Sequence, residues 1–337
     1  MDALSELLRS VKLSGAVFYT AQCSKPWRVL APAGAKLGQY VAPAASHVIE
    51  FHLATHGSGY VRVGQEVTPF AAGDLFMIPH GDPHEMGDGT DCPLVDSGAG
   101  FAELLSGSIT NVRLGGGGAE TRLVCGYLAC EEALIRPLLT GLPRVVRVHL
   151  RNDRAGEWLE NTILHSLERV GAAAPGSDAI LARLAEVLFA EALQRYVTQL
   201  PPGRPGWLAG AGDATVGRAL AALHRKPAYP WTLDELAREA AVSRSALTER
   251  FARYLGQSPM AYLADWRLEL GAEALRTTSR SVLQIAAEVG YESEAAFNRA
   301  FKRRFDKPPA QYRRALREQR RAAAKPSGHE HARASPA

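Results

Sequence analysis

Three patterns of hydrophobic and polar positions follow one another along the chain. Through about residue 150 the apolar runs are short and alternating or β-branched, as in His47-Val-Ile-Glu-Phe-His-Leu53 and Tyr60-Val-Arg-Val63. Turn signals separate them: Gly57-Ser-Gly, Gly81-Asp-Pro and Gly87-Asp-Gly. Short strands between regular turns predict a small β-barrel or sandwich. Over 157–170 and 178–199 the period changes to 3.6. In the second run Ile180, Leu181, Leu184, Val187, Leu188 and Ala192 form a wide apolar stripe with polar residues opposite, predicting amphipathic helices. Pro201-Pro-Gly-Arg-Pro-Gly206 cannot continue a helix and reads as a linker. From about 214 to 318 the pattern is helical, and the tail beyond it has too little apolar bulk to fold. The expected domains are a β-rich unit over 1–150, a helical connector over 151–211, an all-α domain over 212–318 and a disordered basic tail over 319–337.

The helical domain repeats itself. Leu233-Asp-Glu-Leu-Ala-Arg-Glu-Ala-Ala-Val-Ser-Arg-Ser-Ala-Leu-Thr-Glu-Arg-Phe251 is matched by Val282-Leu-Gln-Ile-Ala-Ala-Glu-Val-Gly-Tyr-Glu-Ser-Glu-Ala-Ala-Phe-Asn-Arg-Ala-Phe301. Leu236-Ala237 pairs with Ile285-Ala286, Phe251 with Phe301 and Pro259 with Pro309. Each copy has a small residue (Ala237, Ala286) where a second helix must approach closely. Each then has a short turn, with a serine (Ser243, Ser293) placed to cap the next helix. In that second helix Leu247 and Phe251, or Phe297 and Phe301, lie four apart and face a core, leaving a polar face free for a major groove. An all-helical bundle would use the same caps and anchors for packing alone, but a repeat in register favours two helix-turn-helix units.

Charge agrees with this. From Gly212 onward there are 22 Lys and Arg against 14 Asp and Glu, a net of +8, while the remainder carries −4. A basic block of this kind suits a nucleic-acid module. Apolar residues make up 46% and charged residues 22%, as in a soluble globular protein. No run approaches a membrane span. The start, MDALSELLRS, has acidic residues and no apolar core, unlike a secretory signal. Four cysteines (Cys23, Cys92, Cys125, Cys130) in such a chain are expected as reduced thiols in the cytoplasm.

The residues Ile285-Ala286, Val289-Gly290-Tyr291, Ser293, Phe297, Phe301-Lys302, Pro308-Pro309 and Tyr312-Arg313 resemble the DNA-binding domain of AraC/XylS-family transcription regulators. The resemblance covers about 100 residues. It implies two recognition helices, held by a long connecting helix drawn from Pro259 to Arg276, that enter successive major grooves of promoter DNA. By motif position, Ser245, Thr248 and Glu249 reach bases from the first unit. Glu294, Ala295, Asn298 and Arg299 do so from the second. A bidentate Arg299–guanine contact would be worth roughly 1–3 kcal/mol of discrimination. Arg244, Lys302, Arg303 and Arg304 are assigned to phosphates, which position the protein without reading sequence. Glu249 departs from the cation often found at its place, and would either accept from cytosine or repel phosphate.

A second resemblance covers residues 10–150. Gly73-x5-Pro79-x-Gly81-x2-His84-x3-Asp88 follows the second cupin motif, and Glu50-x6-Gly57 the end of the first. The usual His-x-His pair is missing, with Ala44, Ala45 and Ser46 in its region. The segment resembles the cupin-type sensor domain of one AraC-family branch, which also shares Phe51-His52-Leu53 and Cys125-Gly126-Tyr127. The fold class expected is therefore multidomain: a cupin-like β-barrel, a helical connector and an all-α double helix-turn-helix domain.

Alternate strand residues share a face, so Glu50, His52 and His56 point the same way; the cupin resemblance implies that Glu50 faces inward, so that Glu50, His52 and His84 would converge inside the barrel. Two imidazoles and a carboxylate suit Zn or Fe(II), whereas the lost histidine pair argues for hydrogen-bonded core residues and no required cofactor. His47, His56 and His80 are expected at the surface or rim. Cys23, beside Lys25, and Cys92, in a turn-rich segment, are candidate redox thiols, as in relatives that answer oxidants; Cys125 and Cys130 flank an apolar run and are expected buried.

No nucleophile elbow, phosphate-binding loop or His-Glu-x-x-His is present, and Gly115–Gly118 reads as a flexible loop. The function expected is a promoter-binding regulator answering a small molecule or oxidant. It would work as a homodimer through the 180–192 stripe, and as an activator touching RNA polymerase. The stripe equally suits packing against the barrel. The rival readings are a cupin metalloenzyme fused to a DNA-binding domain, and a helical protein-interaction module without specific DNA affinity.

Overall fold

The computed structural model describes the chain except residues 1, 12, 14–18, 44, 90–91, 97–110, 172–174, 202–203 and 324–337. Eleven described strands form two sheets. They are β1 Tyr19–Ser24, β2 Arg28–Ala31, β3 His47–His56, β4 Ser58–Val63, β5 Glu66–Ala71, β6 Asp74–Ile78, β7 His84–Gly87, β8 Val95–Asp96, β9 Asn111–Gly115, β10 Glu120–Cys130 and β11 Val146–His149. The six-stranded sheet runs β11-β6-β3-β10-β1-β9 and the five-stranded sheet β5-β4-β7-β2-β8. Most neighbours are antiparallel; β9 against β1 and β8 against β2 are parallel.

Register decides what faces inward. Glu50 pairs with Ile78 and Tyr127, and His52 with Phe76 and Cys125. Directly paired residues point to the same face. These side chains therefore share the inner face with Trp27, Phe70, Met86 and Leu123, which fill the space between the sheets. Among the described residues of this region, helices α1 Ala3–Ser10, α2 Gly34–Val41 and α3 Glu132–Leu139 occur beside the strands.

The helical pair follows as α4 Arg154–Gly171 and α5 Ser177–Thr198. The apolar stripe of α5 divides. Leu181, Leu184, Leu188 and Ala192 are buried, whereas Ile180 and Val187 remain 42% and 49% exposed. Packing thus takes most of the stripe, and Trp158 on α4 is left 63% exposed as well.

Beyond the linker come α6 Trp207–Gly212, α7 Val216–Arg225, α8 Leu233–Glu239 and α9 Arg244–Leu255, then α10 Pro259–Thr277, α11 Val282–Glu288, α12 Glu294–Phe305 and α13 Pro309–Ala323. The chain divides into two compact units. One is Met1–Arg225 with Leu233–Pro259, and the other is Lys226–Thr232 with Met260–Ala337. The first helix-turn-helix therefore packs into the sensor-side unit, where α1, with Ala3 and Leu7 buried, lies against α7. Sequence patterning did not predict α1; its start is fixed by Asp2, whose carboxylate accepts from the Ser5 amide. The last helix extends to Ala323, into the segment expected as tail; the rest of that tail lies outside the described residues.

In the second unit the core is aromatic. Phe297, Phe301, Phe305, Tyr291 and Tyr312 stack through neighbouring rings, with centroids 4.4–5.5 Å apart. Gly271 on α10 lies against Phe297, where an added Cβ would come within 2.8 Å of the ring.

Candidate functional sites

The barrel holds one group of three metal-capable side chains among the described residues. Glu50, His52 and His84 are 3%, 2% and 1% exposed, and their ligand atoms lie within 4.8 Å of one another. The two Nε2 atoms are 2.9 Å apart. The His84 Nδ1, 3.2 Å from the Asp82 carbonyl, donates to it, which leaves its Nε2 as a lone pair facing His52. His52 stacks on Phe76. Burial pushes the Glu50 carboxyl up to about 8 and the His84 imidazole down to about 4, and holds His52 well below its ordinary value. Glu50 Oε1 and His52 Nδ1 have no hydrogen-bond partner. A buried carboxyl oxygen without a partner among the described residues, beside two neutral imidazoles, leaves a donor set that a cation would complete. The donor set N2O, with one imidazole fixed by a carbonyl behind it, fits Zn or Fe(II).

The two histidine-bearing walls arise from local sequence. His52 sits on the central strand β3, and His84 opens β7, paired with Ala31. His47 is half-buried near the Pro79 carbonyl, while His56 and His80 are exposed, at the strand end and in a turn.

Cys23 does not meet the requirements of a redox thiol. It is 1% exposed, and burial, with Asp88 nearby, pushes its thiol up to about 12. A thiolate is the reactive form, so this cysteine is held inert. Lys25, the neighbour expected to activate it, instead lies 3.7 Å from Asp88. Cys92 is half-buried, next to an Arg28 guanidinium that reaches its carbonyl. Cys125 and Cys130 are buried as expected.

The helix-turn-helix copies are built alike. Ser243 accepts from the Ala246 amide and Ser293 from the Ala296 amide, so the second helix of each copy, α9 and α12, starts at a serine cap. Leu247, Phe251, Phe297 and Phe301 are fully buried. On α12 the opposite face exposes Ala295, Arg299, Lys302 and Arg303, with Glu294 and Asn298 half-buried at its flanks. On α9 the same positions expose Ser245, Glu249 and Arg253, with Thr248 half-buried. Arg253 was not singled out by the motif; alignment of Phe251 with Phe301 places it opposite Arg303.

Two cations assigned to phosphate are engaged elsewhere. Arg304 donates to Glu269 on α10 at 2.7 Å, a nearly buried carboxylate, and so braces α12 against the connecting helix. Arg244 lies 3.2 Å from Asp234, with both side chains mostly exposed, a pair that solvent leaves weak and that DNA would exchange. Lys302 and Arg303 are exposed and have no charged partner among the described residues.

Comparison with known proteins agrees with both halves. The chain matches the cupin family profile over residues 2–198 and a helix-turn-helix domain profile over 236–315. An AraC-like transcription regulator of Streptomyces antibioticus is 32% identical, over 93% of this chain and 99% of its own length. The chain belongs to the AraC-like transcription regulators. The transcriptional regulator AlkR of Acinetobacter baylyi is 29% identical over 93% of this regulator and 99% of its own length. RclR of Escherichia coli, an RCS-specific transcriptional activator, is 25% identical over 94% and 99%. Among solved structures, the DNA-binding domain of AdpA in complex with a target DNA is 28% identical, covering 31% of this chain and 93% of its own, with a TM-score of 0.30. The cupin match runs through α4 and α5, so the helical pair belongs with the barrel in that family. Among the described residues, no helix is long and apolar enough to cross a membrane.

Proposed function

We propose that this regulator binds promoter DNA in the cytoplasm chiefly through α12, and that the barrel is its input. The carrying observation is the outer face of α12, where Arg299, Lys302 and Arg303 are exposed on a helix whose inner face is locked by Phe297 and Phe301. A rigid helix with cations on its free side meets both demands of groove binding, phosphate attraction and base contact. Bound, Arg299 would read a guanine edge while Lys302 and Arg303 neutralise phosphates.

Glu50, His52 and His84 would hold Zn or Fe(II), whose chemistry at this place is a fixed positive charge with an open coordination position. The three side chains are too buried for a substrate to reach, which favours regulator over metalloenzyme. Activation with RNA polymerase and homodimerisation through the exposed Trp158, Ile180 and Val187 complete the reading; an apolar patch on adjacent helices is a reasonable dimer face. Genome-wide footprinting of the bound protein tests it. Sharp protected sites upstream of genes are expected, and even coverage without preferred sites would contradict it.

A further inference from the structure

Within the sensor-side unit, α4 does not close fully onto the six-stranded sheet. Its first half does, with Leu159 and Ile163 buried at 2% and 0% exposed. Its second half stands off. Leu164, Leu167 and Val170, which share one flank of the helix, remain half-exposed and wall a cleft of about 540 Å³ against β1, β3 and β10. That volume lies within the range of small-molecule sites, roughly 300–1,000 Å³. The barrel interior, by contrast, is filled by Trp27, Phe70, Phe76 and Met86.

The lining sorts by wall. The helix side is apolar. The sheet side offers Thr20, Asn111 and Thr55 together with the amide NH2 of Gln22, whose Oε1 accepts from Arg113 Nε at 3.1 Å; all are neutral hydrogen-bonding groups. Arg122 is held bidentate by Glu120 at 2.8 and 2.9 Å, while Glu168 and His56 lie exposed to solvent at the rim. No buried charge is left for an ion to match, so the cleft favours an uncharged molecule.

We propose that this cleft binds a small uncharged amphipathic molecule, its apolar body against Leu164, Leu167 and Val170 and its hydrogen-bonding end on Gln22 and Thr20. This rests on the regulator reading and adds to the barrel's input an effector site between its sheet and α4. The helix that forms the wall is also the one with a route to DNA: α4 packs on α5, α5 touches α6, and α6 touches the first reading helix α9.

The test uses the full chain and the neutral fluorophore N-phenyl-1-naphthylamine, with its anionic relative anilinonaphthalene sulfonate as comparison. Expected is saturable binding of one neutral probe per chain, at least tenfold tighter than the anionic one. Leu167→Glu, on the helix wall, and Gln22→Trp, which fills the cleft from the sheet, each weaken it at least tenfold. Asn161→Ser, an exposed position of the same helix outside the cleft, leaves it unchanged. Circular dichroism confirms that each variant folds, and the two walls give independent variants. Equal affinity for both probes, no loss in either cleft variant, or equal loss in Asn161→Ser would overturn the proposal. Promoter binding is measured on the same samples. Intact DNA binding without probe binding removes the cleft alone, whereas probe binding without specific DNA binding removes the regulator reading instead.

Discussion

Glu249 and Arg299 occupy the same place in the two helix-turn-helix copies, each exposed on the free face of its reading helix and opposite in charge. With Arg253 beside Glu249 the first face is close to neutral, whereas Arg299, Lys302 and Arg303 make the second strongly positive. Because binding to DNA is dominated by phosphate neutralisation, the carboxylate on α9 opposes it. Glu249→Gln is therefore expected to raise affinity for any duplex by roughly two- to tenfold at low salt. Arg303→Ala is expected to lower affinity evenly across sequences and reduce the salt slope by about 0.9. Anisotropy titrations at several salt concentrations check both, and a sequence-selective effect of Arg303→Ala would reassign it to base reading.

The two turns share a left-handed residue, Ala241 at φ 56° and Gly290 at φ 88°. A left-handed conformation costs an L-residue about 1–2 kcal/mol, partly offset by the extra freedom that glycine has when unfolded. Ala241→Gly should then stabilise the first unit by about 0.5 kcal/mol. Gly290→Ala should destabilise the second by about 2 kcal/mol or more, because its Cβ would also meet the Ala228 backbone at 2.8 Å. Denaturant midpoints measure both, and equal responses at the two sites would refute the argument.

Metal binding should release a proton. At pH 7 the Glu50 carboxyl, pushed up to about 8, is mostly protonated, whereas His52 and His84 are already neutral. Titration with Zn(II) in two buffers of different ionisation enthalpy is expected to show about one proton released per ion. Glu50→Gln should abolish that release and weaken binding. Unchanged binding in Glu50→Gln would remove the carboxylate from the site.

The metal-free chain should respond to pH in two directions. Folded Glu50 keeps its proton up to about 8, while the unfolded carboxyl loses it near 4.5, so this group's stabilising contribution is lost as pH rises between those values. His84 and His224, held down to about 4 and about 3, contribute above 6.5 and lose that contribution as pH falls toward their folded values. Thermal melts from pH 4 to 9 should show both slopes, with the alkaline one absent in Glu50→Gln. A wild-type slope retained in that variant would place its origin elsewhere.

Thiol chemistry should begin at Cys92. Cys23 is sealed and protonated, so iodoacetamide on the folded chain at pH 7.5 is expected to label Cys92 first and Cys23 only after denaturation. Mass spectrometry decides it, and early labelling of Cys23 would reopen a direct role for it in oxidant sensing.

Much of this was readable from the chain because the decisive signals are local. Serine caps, paired small residues and the Phe297–Phe301 spacing depend only on helix geometry. That Glu50 and His52 share a face follows from strand alternation, and the cupin resemblance supplied its inward direction. Other features depend on neighbours far along the chain, which periodicity does not encode. Arg304 reads as a free cation until Glu269 is seen opposite it, and Cys23 reads as activated by Lys25 until Asp88 takes the lysine. The α4 cleft is a gap between elements, so no residue pattern announces it. The missing His-x-His argued against a metal site, while His52, two residues beyond the motif glutamate, brings a third potential donor close to Glu50 and His84.

The central claim is that α12 reads sequence, and one measurement tests it most directly. Affinities of the wild-type chain and Arg299→Ala are compared on a duplex carrying a footprinted site and on its scrambled counterpart, at one salt concentration. The account predicts a specific affinity lowered by about 1–3 kcal/mol in the variant, with scrambled binding little changed, so that the ratio between the two collapses. An equal loss on both duplexes would contradict it, and would leave Arg299 a phosphate contact on a helix that positions the protein without reading the DNA.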